Sequence, residues 1–170
     1  VHGGYLHIIP AMRKVIAELS VKDGILATLG NHDTVFMVNP FEEMGIRVLT
    51  NETISLSRAE EVIHFTGIDD PHYYYTQMAA ETLEASPDGF KIALIHSPEL
   101  YDLAEENGFS LYLAGHTHGG QICLPGGIPV TLDARCPRYM GAGPWSYNGM
   151  QGYTSPGTGT SIVNVRLNCP

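Results

Sequence analysis

The chain is poor in basic residues, in paired cysteines and in long apolar runs. Of its 170 residues only 9 are Lys or Arg, against 18 Asp or Glu, for a formal net charge of −9. The basic residues form no cluster, so nothing in the chain tracks a phosphate backbone and duplex nucleic acid is not an expected partner. An acidic protein can still act on phosphoesters when a bound cation supplies positive charge locally. Three cysteines, Cys123, Cys136 and Cys169, stand far apart with no C-x-x-C spacing. They point to neither a disulfide framework nor a zinc ribbon, and free, mostly buried thiols are expected. No uninterrupted apolar segment approaches the roughly 20 residues that a bilayer span needs, and no signal peptide is visible. The chain opens on Val1, and His2-Gly3-Gly4 reads as the middle of a loop. The expectation is a fragment or a processed chain.

What is present suits a globular protein: 44% hydrophobic and 16% charged residues, on a length that allows one domain over residues 1–170 with a real core. Leu6 to Leu19 carries apolar residues at Ile8, Ile9, Met12, Val15, Ile16 and Leu19, the spacing of an amphipathic helix. Short apolar runs at Ile25–Leu29, Ile46–Leu49, Val62–Ile68, Lys91–Ile95 and Leu111–Ala114 read as strands, with Ile25–Leu29 and Lys91–Ile95 as buried ones. Between them, Phe41–Met44 before Gly45, Gln77–Ala85, and a stretch opened by Pro98 and carrying Leu100, Leu103 and Ala104 read as helices. In the last third, Gly and Pro punctuate short runs at Ile128–Leu132, Gln151–Tyr153 and Ser161–Leu167, the last with period-two alternation. A strand-rich second half is expected. Tyr73-Tyr74-Tyr75 is expected to pack over a sheet, with an exposed recognition surface as the alternative, and Trp145 and Tyr139 to flank a hairpin, with a substrate groove as the alternative.

Three of the apolar runs end in polar, metal-competent side chains: Gly30-Asn31-His32-Asp33, His96-Ser97-Pro98 and Gly115-His116-Thr117-His118-Gly119-Gly120-Gln121. Open α/β sheets place ligands on the loops just past the carboxyl ends of their strands. One sheet edge can therefore collect Asn31, His96 and His116 as two imidazoles and an amide oxygen, a donor set for a borderline divalent metal. A metal there would polarise a phosphoryl oxygen and lower the pKa of bound water towards neutrality. His32, free of the metal, could protonate a leaving alkoxide while Asp33 holds its ring.

These three stretches, in this order and spacing, resemble consecutive motifs of the calcineurin-like metallophosphoesterases. Gly119-Gly120-Gln121, Leu124-Pro125-Gly126-Gly127 and Leu167-Asn168-Cys169-Pro170 are similar to the bacterial cell-envelope, phosphodiesterase-like branch of that superfamily. The resemblance covers the chain from Ala11 onward. It implies an α/β (α+β) fold, a metallophosphoesterase-type sandwich of two mixed β-sheets flanked by helices. It also implies a dinuclear centre of divalent ions such as Mn, Fe, Zn or Ni, with a phosphoester as substrate. Asn31, His96 and His116 would hold the second metal and His118 the first; His32 would be the general acid and Asp33 its partner. Location would be cytoplasmic or associated with the bacterial envelope, the latter through upstream sequence.

The family pattern starts with an Asp-x-His motif and a Gly-Asp motif, and neither stands before Asn31. The expectation is therefore an N-terminally truncated domain with reduced metal occupancy, since a site of neutral ligands binds hard cations poorly. His2 and His7 are not expected to substitute. Missing strands would expose a sheet edge, which invites a homodimer by edge pairing. The alternative expectation is a non-catalytic binding or scaffold module on a degenerate phosphoesterase fold.

Overall fold

A computed structural model describes residues 8–169. Its largest element is a six-stranded mixed sheet. The strands are β3 (Glu52–Arg58), β4 (Glu61–Gly67), β5 (Phe90–Leu94), β6 (Leu111–Ala114), β9 (Gly143–Tyr147) and β10 (Met150–Thr154), in the spatial order β3-β4-β5-β6-β10-β9. Strands β4, β5, β6 and β10 run parallel, and β3 and β9 close the two edges antiparallel. The central run Lys91-Ile92-Ala93 is buried throughout, as expected of a parallel strand covered on both faces. Both edge strands belong to hairpins with two-residue turns. Asn148-Gly149 joins β9 to β10, with Asn148 at φ 45°, the left-handed backbone that makes Asn-Gly a strong hairpin signal.

Helices α3 (Gln77–Glu84) and α4 (Tyr101–Glu106) cover one side of the sheet. The core there gathers Ile68, Leu83, Ala93, Ile95, Phe109, Tyr112, Met140, Trp145 and Met150. Thr76 caps α3, its Oγ1 accepting the Ala79 amide at 3.2 Å. A second core lies between α1 (Ile9–Ala17), α2 (Val38–Glu42) and the parallel pair β1 (Ile25–Ala27) and β2 (Ile46–Val48), around Met37, Phe41, Ile46 and Val48. Ile9, Met12 and Ile16 pack on it from α1, so the helical spacing read in the sequence marks its covered face. The expected helix start at Leu6, together with Val1–Gly4, His2 and His7, lies outside the described residues.

The two layers meet where side chains are smallest. A Cβ on Gly67 would lie 2.3 Å from Leu49 Cβ and 2.9 Å from Thr28 Cγ2, so the end of β4 admits the end of β2 only as glycine.

Four expectations are corrected. Ile25–Leu29 forms a strand only over Ile25–Ala27 and is half-buried, not buried. Ile128–Leu132 contributes only the two-residue strand β8 (Ile128–Pro129) against β7 (Cys123–Leu124), because Pro129 has no amide to extend a ladder. Ser161–Leu167 is not a strand: it touches the fold by one parallel bridge, Ile122 to Leu167. The Gln121 side chain takes up its backbone instead, accepting the Ser161 amide at 2.6 Å and donating to the Ser161 and Val163 carbonyls at 3.0 and 2.9 Å. Tyr73, Tyr74 and Tyr75 do not pack over the sheet but are 50–63% exposed. By contrast Trp145 lies in the β9–β10 hairpin, its Nε1 donating to Thr154 Oγ1 at 2.9 Å. Strand β3 was not expected, although Ile54 and Leu56 alternate with polar residues.

Gly67→Ala is expected to lower stability by about 1–3 kcal/mol through overpacking against Leu49. Urea unfolding of the variant checks this, and an unchanged midpoint would show that the layers can separate at no cost.

Candidate metal centre

Strands β5 and β6 run side by side, and their ladder continues past their ends. The Ile95 amide donates to the Leu113 carbonyl at 3.1 Å, and the Gly115 amide to the His96 carbonyl at 2.9 Å. This register sets His96 beside Gly115 and brings His116 over it. From the other layer, the loop after β1 approaches so closely that a Cβ on Gly30 would lie 2.5 Å from His96 Cε1. With no side chain at Gly30, Asn31 reaches in, and its Oδ1 lies 3.1 Å from His96 Nε2. On the other side, His116 Nδ1 lies 3.3 Å from the same Nε2, with the two rings 5.1 Å apart at 73°.

Three ligand-competent atoms, an amide oxygen and two ring nitrogens, thus converge on one another. Burial, and then the neighbouring His116, lower the His96 pKa to about 4, and burial followed by His72 also lowers that of His116. Both rings are therefore neutral near pH 7 and available as ligands. This donor set of two neutral imidazoles and an amide oxygen fits a borderline divalent ion.

The other predicted residues line the same cleft, of about 590 Å³. His118 is half-buried on its wall, Nδ1 lying 3.4 Å from the Gly159 carbonyl. His32 stands exposed at the rim. Asp33 spends one carboxylate oxygen on its own loop, accepting the Gly30 amide at 2.8 Å. The histidine loop is strained: His116, His118 and Gln121 all have left-handed backbones, at φ 68°, 50° and 56°, each costing on the order of 1–3 kcal/mol. Thr117 between them is buried and donates to the Gly141 carbonyl at 2.6 Å, which holds the loop in place.

Sequence reasoning missed His72, Glu99 and Asp133. His72 Nδ1 lies 2.9 Å from Glu99 Oε1, with side chains only 10% and 7% exposed, and its Nε2 lies 3.8 Å from Asp133 Oδ1. The His72 ring sits 4.3 Å from that of His116. A signal was available, because His72 follows Asp69-Asp70-Pro71 just beyond β4, the same strand-end layout as the other three motifs. Cys123 is a buried and Cys136 a half-buried free thiol, while half-buried Cys169 lies with its Sγ 3.2 Å from the His118 carbonyl.

No protein-family model matches the chain. Among individual proteins, it is 28% identical over 162 residues to the uncharacterized metallophosphoesterase YkoQ of Bacillus subtilis (strain 168), covering 89% of this chain and 59% of that one. It is 25% identical over 166 residues to the phosphodiesterase YaeI of Escherichia coli (strain K12), covering 94% and 60%. These relatives, named as metallophosphoesterases and a phosphodiesterase, support the calcineurin-like resemblance that the three strand-end motifs carry. The fold of the chain is also that of a Staphylococcus aureus protein named as a 5'-nucleotidase and solved with α-ketoglutarate, at TM-score 0.55, 11% identity, and coverage of 88% of this chain and 35% of the other. The chain spans about three fifths of the length of YkoQ and YaeI. No helix among the described residues is long and apolar enough to cross a membrane.

The His96 pKa carries a pH dependence of known sign. Folded His96 titrates near 4 and an unfolded imidazole near 6.5, so the unfolded chain binds the extra proton first. The stability of neutral, buried His96 is fully present above pH 6.5 and is lost as pH falls towards 4, by a few kcal/mol at most. In metal-free protein, His96→Asn is expected to flatten that limb. Urea melts of both proteins at pH 7, 6, 5 and 4 test this, and parallel pH dependences would refute it.

Proposed function

We propose that the chain carries the metal-binding half of a phosphoesterase active site and that the whole protein hydrolyses phosphomonoesters or phosphodiesters. The observation behind this reading is the convergence of Asn31 Oδ1 and His116 Nδ1 on His96 Nε2, inside a cleft of about 590 Å³ that also holds His32, Asp33 and His118. Asn31, His96 and His116 would hold one divalent ion and His118 a ligand position of a second. Bound metal supplies Lewis acidity at a phosphoryl oxygen and hydroxide at neutral pH. His32, at the rim, is the proton donor to the leaving oxygen, and Asp33 holds the loop that presents it. The phosphoester charge is neutralised locally, which reconciles an anionic substrate with a chain of net charge −9.

All four proposed metal ligands are neutral, and a carboxylate bridge between two ions is not among them. The chain alone should therefore bind hard cations weakly and turn over slowly. The name of YaeI favours a phosphodiester substrate, and nothing in the cleft selects a lipid over a nucleotide.

Elemental analysis of the purified chain, paired with hydrolysis of bis-p-nitrophenyl phosphate in added manganese, tests the assignment. His116→Ala is expected to lose metal and activity together. His32→Ala is expected to keep its metal and hydrolyse about 10²–10⁴-fold more slowly. Equal loss of metal in both variants would overturn these roles, and metal-free, inactive wild type would favour a binding module.

A further inference from the structure

On its other side His116 faces a second group of ligand-competent side chains. One ligand atom each from His72, His116 and Asp133 lie within 4.8 Å of one another. Glu99 sets the state of His72. Its Oε1 accepts the Arg135 amide at 2.8 Å and lies 2.9 Å from His72 Nδ1. Ionised Glu99 can only accept, so His72 Nδ1 must donate to it across 2.9 Å. In neutral His72 the lone pair is then on Nε2, which faces the Asp133 carboxylate at 3.8 Å. Beside them lies buried His116 Nε2, which makes no side-chain hydrogen bond of good geometry among the described residues, while the Asp133 backbone comes within hydrogen-bonding reach of the His116 ring. A carboxylate behind a histidine whose outer nitrogen faces other ligands is the arrangement that orients imidazole on metals.

We propose that His72, His116 and Asp133 form a site for a borderline divalent cation, zinc above all, on the His72 side of His116. Two nitrogens and a carboxylate oxygen are three of the four ligands of a zinc site open to water. Unlike the Asn31, His96 and His116 set, this one brings its own negative charge. The two sites compete for one ring. A neutral imidazole has a single lone-pair nitrogen, so a cation on Nε2 leaves a proton on Nδ1, pointed at His96 Nε2 and unable to ligate there. Filling the His72 site therefore empties the other, and excess zinc acts as an inhibitor. The site itself stands apart from the phosphoesterase reading; only the inhibition rests on it.

Zinc titration of the purified full chain against a fluorescent chelator separates these. Asp133 is 81% exposed, so Asp133→Asn should fold as wild type does, and it is expected to weaken zinc binding tenfold or more. Glu99→Gln should weaken it 10–100-fold by releasing His72. Asn31→Ala should leave this zinc in place, with one equivalent still bound. Wild-type affinity in Asp133→Asn, or loss of all zinc in Asn31→Ala, would overturn the proposal. Where hydrolysis is measurable, Asp133→Asn should raise the zinc concentration needed to inhibit it. If the chain shows no hydrolysis at all, the titration still decides the site.

Discussion

The approach of Gly30 to the His96 ring governs how the site is assembled. His96 belongs to the six-stranded sheet and Gly30 to the layer built on β1 and β2, and any side chain at Gly30 would occupy the space of the imidazole. Elsewhere along the same seam, Gly67 admits Leu49 on the same terms. Asn31 can therefore face His96 only while both contacts are kept. Packing between layers thus sets the distance between two ligand-competent side chains separated by 65 residues of chain, the kind of rigidity that a metal site needs of its scaffold.

Strain is concentrated on the opposite wall. Three non-glycine residues with left-handed backbones within six positions would not persist in a free loop. They persist because buried Thr117 anchors the turn from below and Gln121 anchors it from outside. Gln121 also fastens the segment around Ser161 to the cleft, so one side-chain amide does the work that a strand ladder would otherwise do. The cleft wall and the C-terminal segment are consequently one mechanical unit.

Electrostatically the cleft is divided at His116. On one side stand neutral donors, Asn31 and His96, the imidazole kept uncharged by its burial. On the other stand Glu99 and Asp133, bridged by His72. An ion choosing between them weighs geometry against charge: three convergent ligand-competent atoms without a carboxylate, or two nitrogens with one.

Local pattern was enough to find most strands and helices, because burial imposes its period on the residues that carry it: Leu111–Ala114 was recognisable as a strand and Gln77–Glu84 as a helix from their own residues. The chemistry at strand ends was legible too, since Asn31, His96 and His116 each follow an apolar run, and the motifs pointed to the superfamily before any contact was known. Other features had no local signature. The alternation of Ser161–Leu167 described a strand that finds a pairing neighbour only at Leu167, and the tyrosines after His72 met no surface to bury them. His72, Glu99 and Asp133 lie 27 and 34 residues apart along the chain and acquire meaning only where β4 and β5 run in parallel and deliver two of them to the same edge. The sequence by itself determined which segments form elements and which side chains can ligate. Only the tertiary structure decided which of those side chains meet, because the distances between them are set by packing across layers and not by any period along the chain.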